Sequence, residues 1–520
     1  MTPFDEHGRF RLHTDRDGLR RVAVRGAGVT AFATAMSFAI QMIATVILAR
    51  LLTPADFGLV AIVTTFSLLL MNVGFNGVTE AVVQRAELDH GLASNLFWIN
   101  TGTGLCLAIA FAAAGSLLAR LYGDPRVAAV AAAMSATIFL SSLSVVHLAL
   151  LKRGMRFSAV SGNDVVARIV SVAVSIVLGW AAWGYWTLVA GAVALQLATC
   201  IGAWARCPWT PGLPRRRAGT GAMVRFALNT VGHFATNYCT RNLDNFLVGW
   251  FFGPQSLGFY KKAYDLCVLP VAQISDPLHA VALPILSRLV GDPERHKRYV
   301  LRALSTLAFV GMGLGAGLAL VGQDLIYVLL GPQWTESGRI FTFFAPAVGG
   351  LLLYLAYGWI HLSLGRPDRM FRWAVIEFAV IGCLFLLGLP WGPIGVASAW
   401  AVSAWVLAVP ALWYAGRPAD LGIGSILGAV WRYVVAAPLA GATAATIIHR
   451  IPALVSAPGL LGAIDRGLMA FLLFGAVYLC AVVVLHGGIT PLRQVGALLR
   501  DMLPRPSHHP DVPPSLVTSG

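Results

Sequence analysis

An all-α membrane fold is what this chain predicts, and three observations carry the expectation. Apolar residues make up 57% of the 520 and charged residues only 12%, where soluble domains carry about 25% charged residues. Apolar runs of about 20 residues, the length that crosses about 30 Å of hydrocarbon, recur along nearly the whole sequence. The Lys and Arg residues sit in short clusters between those runs. Despite a formal charge of +15, that is the pattern of topology signals rather than of a nucleic-acid surface.

Taken in order, the polar, Arg-rich residues 1–26 (Arg9, Arg11, Arg16, Arg20, Arg21, Arg25) read as an uncleaved cytoplasmic tail, because the apolar run that follows is too long and too late for a signal peptide. Runs broken by charge, Gly and Pro then give about fourteen transmembrane helices, near 27–52, 58–79, 94–119, 127–151, 160–180, 185–205, 222–252, 257–287, 300–322, 339–364, 371–389, 392–415, 427–449 and 468–486. The second and eighth are polar at one end. The eighth also holds Pro270, Pro277 and Pro284, whose freed backbone groups need neighbouring helices or a wet cavity. The Pro-rich residues 487–520 are expected to be a disordered cytoplasmic tail.

With the N-terminus inside, 28 Lys and Arg fall in the inner segments and six in the outer loops, so both termini are expected in the cytoplasm of a cell whose inner membrane holds the chain. The longest outer loops, after Gly322 and after Arg450, run to about 16 residues. That is little room for the soluble part a membrane-embedded polymerase or glycosyltransferase usually needs. With no HExxH, GxSxG or Walker pattern either, the chain does not read as an enzyme. The seven cysteines show no CxxC and no His at metal-ligand spacing, so no metal or cofactor is expected.

The chain also echoes itself at an offset of 200 residues, where Pro54 and Gly58 align with Pro254 and Gly258. Further along, Arg85 aligns with Arg288, Gly123 with Gly331 and Trp183-Gly184 with Trp391-Gly392, the offset drifting to 208. Six spans separate equivalent positions. The two repeats therefore share one orientation, and two pseudo-symmetric six-helix lobes are expected with a cleft between them. This divides the chain into lobes over 27–206 and 222–416, a cytoplasmic linker over 207–221, and two additional helices over 417–486.

The stretches LARLLTPADFGLVAI (48–62), RNLDNFLVGWFFGPQSLGFYKKAY (241–264) and the later LP…PILSRL resemble the Wzx-type polysaccharide flippases of the multidrug/oligosaccharidyl-lipid/polysaccharide exporter superfamily. The resemblance runs from about Arg25 to Leu485. It implies an alternating-access transporter that moves undecaprenyl-diphosphate-linked oligosaccharide across the inner membrane for lipopolysaccharide, capsule or exopolysaccharide biosynthesis, with polysaccharide polymerase machinery as a partner. A cation-coupled multidrug exporter of the same superfamily is the alternative, and it would favour acidic rather than basic cavity residues.

Such a substrate needs cations within an apolar wall, and charge inside a span is costly enough to mark a cavity or a partner. Four of the cations inside expected spans are candidates: Arg241, Arg168, Lys261 and Lys262. Each also has a structural reading, namely pairing of Arg241 with Asp244, of Arg168 with Asp164, and of Lys261 and Lys262 with Asp265. Asp244, Asp276 and Glu377 are candidates for ion coupling. Gln41, Asn72, Asn76 and Asn242 are candidates for sugar contact, and helix-to-helix hydrogen bonding would explain such polar positions equally. The overlapping GxxxG spacings of Gly311 to Gly317 predict close helix packing.

Overall fold

The computed structural model describes residues 3–5, 10, 16–84, 88–214, 220–451 and 459–493. Fourteen α-helices account for nearly all of them: α1 (Arg16–Leu51), α2 (Pro54–Gln84), α3 (His90–Tyr122), α4 (Arg126–Arg153), α5 (Phe157–Trp180), α6 (Trp186–Arg206), α7 (Thr220–Arg288), α8 (Pro293–Leu330), α9 (Thr335–Phe344), α10 (Ala347–Ser363), α11 (Pro367–Gly388), α12 (Gly392–Gly416), α13 (Ile423–His449) and α14 (Gly459–His486). Among the described residues, ten helical stretches are long and apolar enough to cross a membrane. The number rises to eleven if Pro332–Phe344 and Ala347–Ser363, bent by 51°, count as one broken span.

The helix ends are set by local chemistry. In the α1–α2 turn the Thr53 hydroxyl donates to Asp56 at 2.6 Å and the Asp56 amide donates back to the Thr53 hydroxyl at 3.3 Å, a capping arrangement ahead of Pro54 in the first turn. Asp89 caps α3 by accepting from the Leu92 amide, and Asp292 caps α8 by accepting from Arg295. The long α7 breaks at Gly253, whose φ of 79° and ψ of 178° lie where a side chain is disfavoured. Its two arms, 220–252 and 254–288, cover the residues expected as the seventh and eighth spans, though neither is among the ten apolar stretches, and helix continues through Pro270, Pro277 and Pro284.

Three boundaries differ from expectation. Helix α1 begins at Arg16, well inside the segment read as a polar tail, because Arg and Ala are good helix formers and need no lipid around them. Phe4, earlier in the same segment, is buried against Phe10, His90 and Trp209. The stretch after Gly322 is not a loop of about 16 residues, since α8 continues to Leu330 and α9 begins at Thr335. Asp324 there is held by Arg466 of α14 at 2.6 Å, which removes the reason for a charge to end the helix.

Helices α1 to α6 pack among themselves, chiefly as α3 with α4, α5 with α6, α2 with α4 and α1 with α5. The arms of α7 pack with α9 to α12, and α8 packs with α9, α10 and α13 and α14. The glycines of α8 work on two faces. A Cβ on Gly311 or Gly315 would meet the backbone of Gly349 or Ala345 at about 3 Å, whereas Gly313 and Gly317 lie against Tyr478 and Phe474 of α14. The expected close packing is therefore present on both sides of one helix.

The turns define two faces. On the basic face, Arg153 of α4 donates to the Val82 carbonyl and Arg156 to that of Arg206, while Lys297 lies 3.6 Å from Asp420. The segment after α6 is pinned there too. His90 Nε2 lies 3.2 Å from the Thr210 carbonyl oxygen, Trp98 donates to Gly212 at 2.9 Å, and the Gly212 amide donates to Ser94 at 2.9 Å. On the far face, the α1–α2, α3–α4 and α5–α6 turns come together around Asp56, Asp124, Arg126, Tyr185 and Gly184.

Contact between the halves is dominated by α2 against α7. Its centre is reciprocal. A Cβ built on Gly58 would lie 1.6 Å from the Pro254 carbonyl oxygen, and one on Gly258 would lie 1.8 Å from that of Pro54. The residues aligned by the internal echo thus cross each other, backbone against backbone, as equivalent positions do about a two-fold axis.

Candidate functional site

Arg168 is expected as a cavity cation, with pairing to Asp164, one turn earlier on α5, as its structural alternative. Its Nη1 donates to Gln41 Oε1 of α1 at 2.6 Å, a bond between residues 127 apart in sequence. The Arg168 Nε is buried and has no hydrogen-bond partner. A guanidinium donor left unmet is costly, and an anion or water delivered to it would relieve that cost.

Arg168 lines a cavity of about 800 Å³ among α1, α4, α5 and α6. Its wall carries the hydroxyls of Thr30, Thr34, Ser37, Ser161 and Thr199, the Gln196 amide, Lys152 and Asp164, with Ala33, Phe157, Val160 and Leu195 as the apolar share. Because Lys152 ends α4 and Phe157 begins α5, the cavity lies towards the basic face. Two cations, an unmet donor and many hydroxyls suit a ligand with an anionic group and a polar body. Ser37, Gln196 and Thr199 were missed in the sequence because isolated polar residues in apolar runs resemble ordinary interhelical contacts, and Lys152 because it lies in a cluster with Arg153 and Arg156 that reads as a topology signal.

Arg241 belongs to a different setting. It is exposed on the first arm of α7, with Glu377 of α11 and Tyr264 within electrostatic reach. Glu377 accepts from the Tyr354 hydroxyl at 2.7 Å, and Trp373 donates to that hydroxyl at 2.9 Å. Asp244 is fully buried and accepts from the Tyr260 hydroxyl at 3.0 Å and from the Asn245 amide at 2.7 Å. Since Tyr260 lies beyond Gly253, that bond ties the two arms of α7 across their break.

The lysines separate. Lys261 pairs with Asp265 as expected, whereas the Lys262 ammonium stands 4.0 Å over the Phe57 ring of α2. Asn72 donates to the Leu68 carbonyl and Asn242 to that of Tyr238, both within their own helices. The side chains of Asn76 and Asp276 lie outside the described residues. Cys207, just past α6, is buried with its thiol pushed up to about 11 by desolvation, which makes it a packing residue rather than a nucleophile.

The family model described as polysaccharide biosynthesis protein matches residues 47–339, from the last turn of α1 into α9. The chain belongs to the polysaccharide biosynthesis protein family. That match spans both reciprocal glycines, Arg168 and Arg241. Among curated relatives, a succinoglycan biosynthesis transport protein of Rhizobium meliloti is 23% identical over 69% of this chain and 72% of its own length. A lipopolysaccharide biosynthesis protein of Escherichia coli is 22% identical over 73% and 77%, and a teichuronic acid biosynthesis protein of Bacillus subtilis is 25% identical over 66% and 70%. Among solved structures, a lipid II flippase in an inward closed conformation superposes with a TM-score of 0.67 at 14% identity, covering 86% of this chain and 98% of that one. An inward-facing multidrug resistance transporter of the MATE family gives 0.59 at 12% identity, over 74% and 94%. At such identities the two structures establish the fold of this family member and nothing finer.

Proposed function

We propose that this polysaccharide biosynthesis protein is a flippase that carries undecaprenyl-diphosphate-linked oligosaccharide across the inner membrane by alternating access. On this reading fourteen spans cross the bilayer, two six-helix lobes rock against each other, two further helices flank the second, and both termini face the cytoplasm with the basic face. The observation that carries it is the unmet Arg168 donor in a cavity that also holds Lys152, on the side from which a cytoplasmically built substrate would enter. A diphosphate offers oxygens to both cations, and the Ser and Thr residues in an otherwise mainly apolar lining suit a saccharide. Arg241 and Lys262 supply further positive charge on the α7 arms. The three curated relatives, each bearing the name of a surface-polysaccharide route, support the substrate class.

The test is replacement of Arg168 by Ala in cells that depend on this chain for surface polysaccharide. Export is expected to fall while the protein stays in the membrane and lipid-linked oligosaccharide accumulates on the cytoplasmic leaflet. Undiminished surface polysaccharide would remove Arg168 from the substrate path. If deletion of the whole chain left polysaccharide intact but sensitised cells to organic cations, the exporter reading would replace this one.

A further inference from the structure

The far face carries a second set of contacts between the halves that the transport reading does not use. Gln333 donates its side-chain amide to the carbonyls of Ala49 and Leu52, and the Trp334 indole donates to Ala49 at 2.7 Å. Both donors lie in the short turn between α8 and α9, and their acceptors lie at the end of α1. Arg50 reaches the other way, donating to the Val328 carbonyl at 2.9 Å. Trp334 is fully buried, with Phe57 of α2 on one side at 5.4 Å and Phe259 of α7 on the other at 6.1 Å. One turn away stands the Gly58 and Gly258 crossing.

The last carbonyls of a helix have no partner within it. At the end of α1 they are met by donors from the opposite half, so the bond is made only while the halves are together. Water on an exposed face can take over those carbonyls when the halves part, which makes the contact reversible rather than permanent.

We infer that the Gln333-Trp334 turn is a latch that holds the far face shut, and that its release from the end of α1 opens the path on that side. The inference rests on the transport reading only in treating this opening as a step of the cycle. Loss of one such hydrogen bond is expected to raise the open fraction about two- to tenfold.

The test uses the full-length protein with its seven native cysteines replaced and a single reporter, Ala49→Cys, at a position fully buried in this state. A membrane-impermeant maleimide added from the far side should label the parent slowly. Gln333→Ala, and Trp334→Phe, which keeps an aromatic ring but removes the indole donor together with part of the ring volume, should each label two- to tenfold faster. Unchanged labelling in both would overturn the latch. A Leu52→Cys/Gln333→Cys pair gives a second measurement. Its oxidation should stop export and its reduction restore it, whereas full export through a closed disulfide would also overturn the proposal. Because labelling requires no cargo, faster labelling in cells whose polysaccharide does not depend on this chain would defeat the flippase reading and leave the latch standing.

Discussion

Two regions of the molecule, α1 to α6 and α7 to α12, are aligned by the echo in the sequence and differ in what they place on their helices. Gln41 on α1 and Arg241 on the first arm of α7 stand at the offset of 200 that aligns the glycine crossing. Facing them, Arg168 on α5 and Glu377 on α11 fall within one residue of alignment at the offset of 208 set by the two Trp-Gly pairs. In the first half the cation lies on the later helix, meets an amide and has the Asp164 carboxylate of its own helix within electrostatic reach. In the second it lies on the earlier helix and has a carboxylate within reach. The turns differ as well. The α3–α4 turn uses Asp124 and Arg126 on each other at 2.7 Å, while the equivalent α8–α9 turn sends Gln333 and Trp334 across to α1. Positions aligned in sequence thus carry different electrostatic partners and different turn contacts.

The largest effect that would sharpen this contrast is on export. Arg168→Ala is expected to reduce the rate about ten- to a hundredfold, the worth of a charge-assisted hydrogen bond. Arg241→Ala should do less, because Arg241 is exposed on α7 and lies outside the cavity that Arg168 and Lys152 line, and Glu377→Gln should partly compensate for weakened binding elsewhere. Surface polysaccharide measured in the three variants would break the comparison if Arg241→Ala proved the more damaging.

The glycine crossing should behave symmetrically. Gly58→Ala and Gly258→Ala each force a Cβ into a backbone carbonyl and should each destabilise the protein by about 1–3 kcal/mol. Thermal unfolding in detergent would show it, and a marked inequality between the two would deny that the crossing is pseudo-symmetric. Asp324→Asn should cost about 1–3 kcal/mol by leaving Arg466 without its carboxylate, with the loss seen as a lower unfolding temperature.

The smallest effect concerns Asp124, whose carboxyl is held below the usual carboxylate range, first by the side-chain hydrogen bonds of Arg126. A group depressed in the folded state lends stability that is present above its unfolded value, near pH 4, and lost as pH falls through the folded one. Arg126 is half exposed, so the contribution should stay below about 1 kcal/mol. Asp124→Asn should shift unfolding slightly at neutral pH and not at all well below pH 3.

Much of the helical plan was legible because lipid imposes it. Apolar run length located the helices, and Gly253 with its neighbouring Pro254 marked the break in α7. The alignment of Pro54 and Gly58 with Pro254 and Gly258 pointed to a repeat whose members turned out to touch. The site was less legible. Arg168 stood out by its charge, but its partner Gln41 is 127 residues away, and the choice of Gln41 over Asp164 depends on how α1 leans on α5. Lys262 could not be separated from Lys261 by spacing, since only the approach of α2 brings Phe57 beneath it. Gln333 and Trp334 left no pattern, because a side chain reaching a helix-end carbonyl needs nothing recognisable in its target. Trp359, near the end of α10, is buried, since α10 is covered by α8 and α12.

Helices α13 and α14 lean on each other and on α8, with only slight contact to α12, and both glycine faces of α8 are occupied. Among the described residues their main contacts are thus with the second half, like those of an outrigger. Any tilt of that half would sweep them through the surrounding acyl chains, so the work of each stroke would include displacing lipid. Bilayers of different thickness or lateral pressure would then set the pace of the protein without touching its cargo.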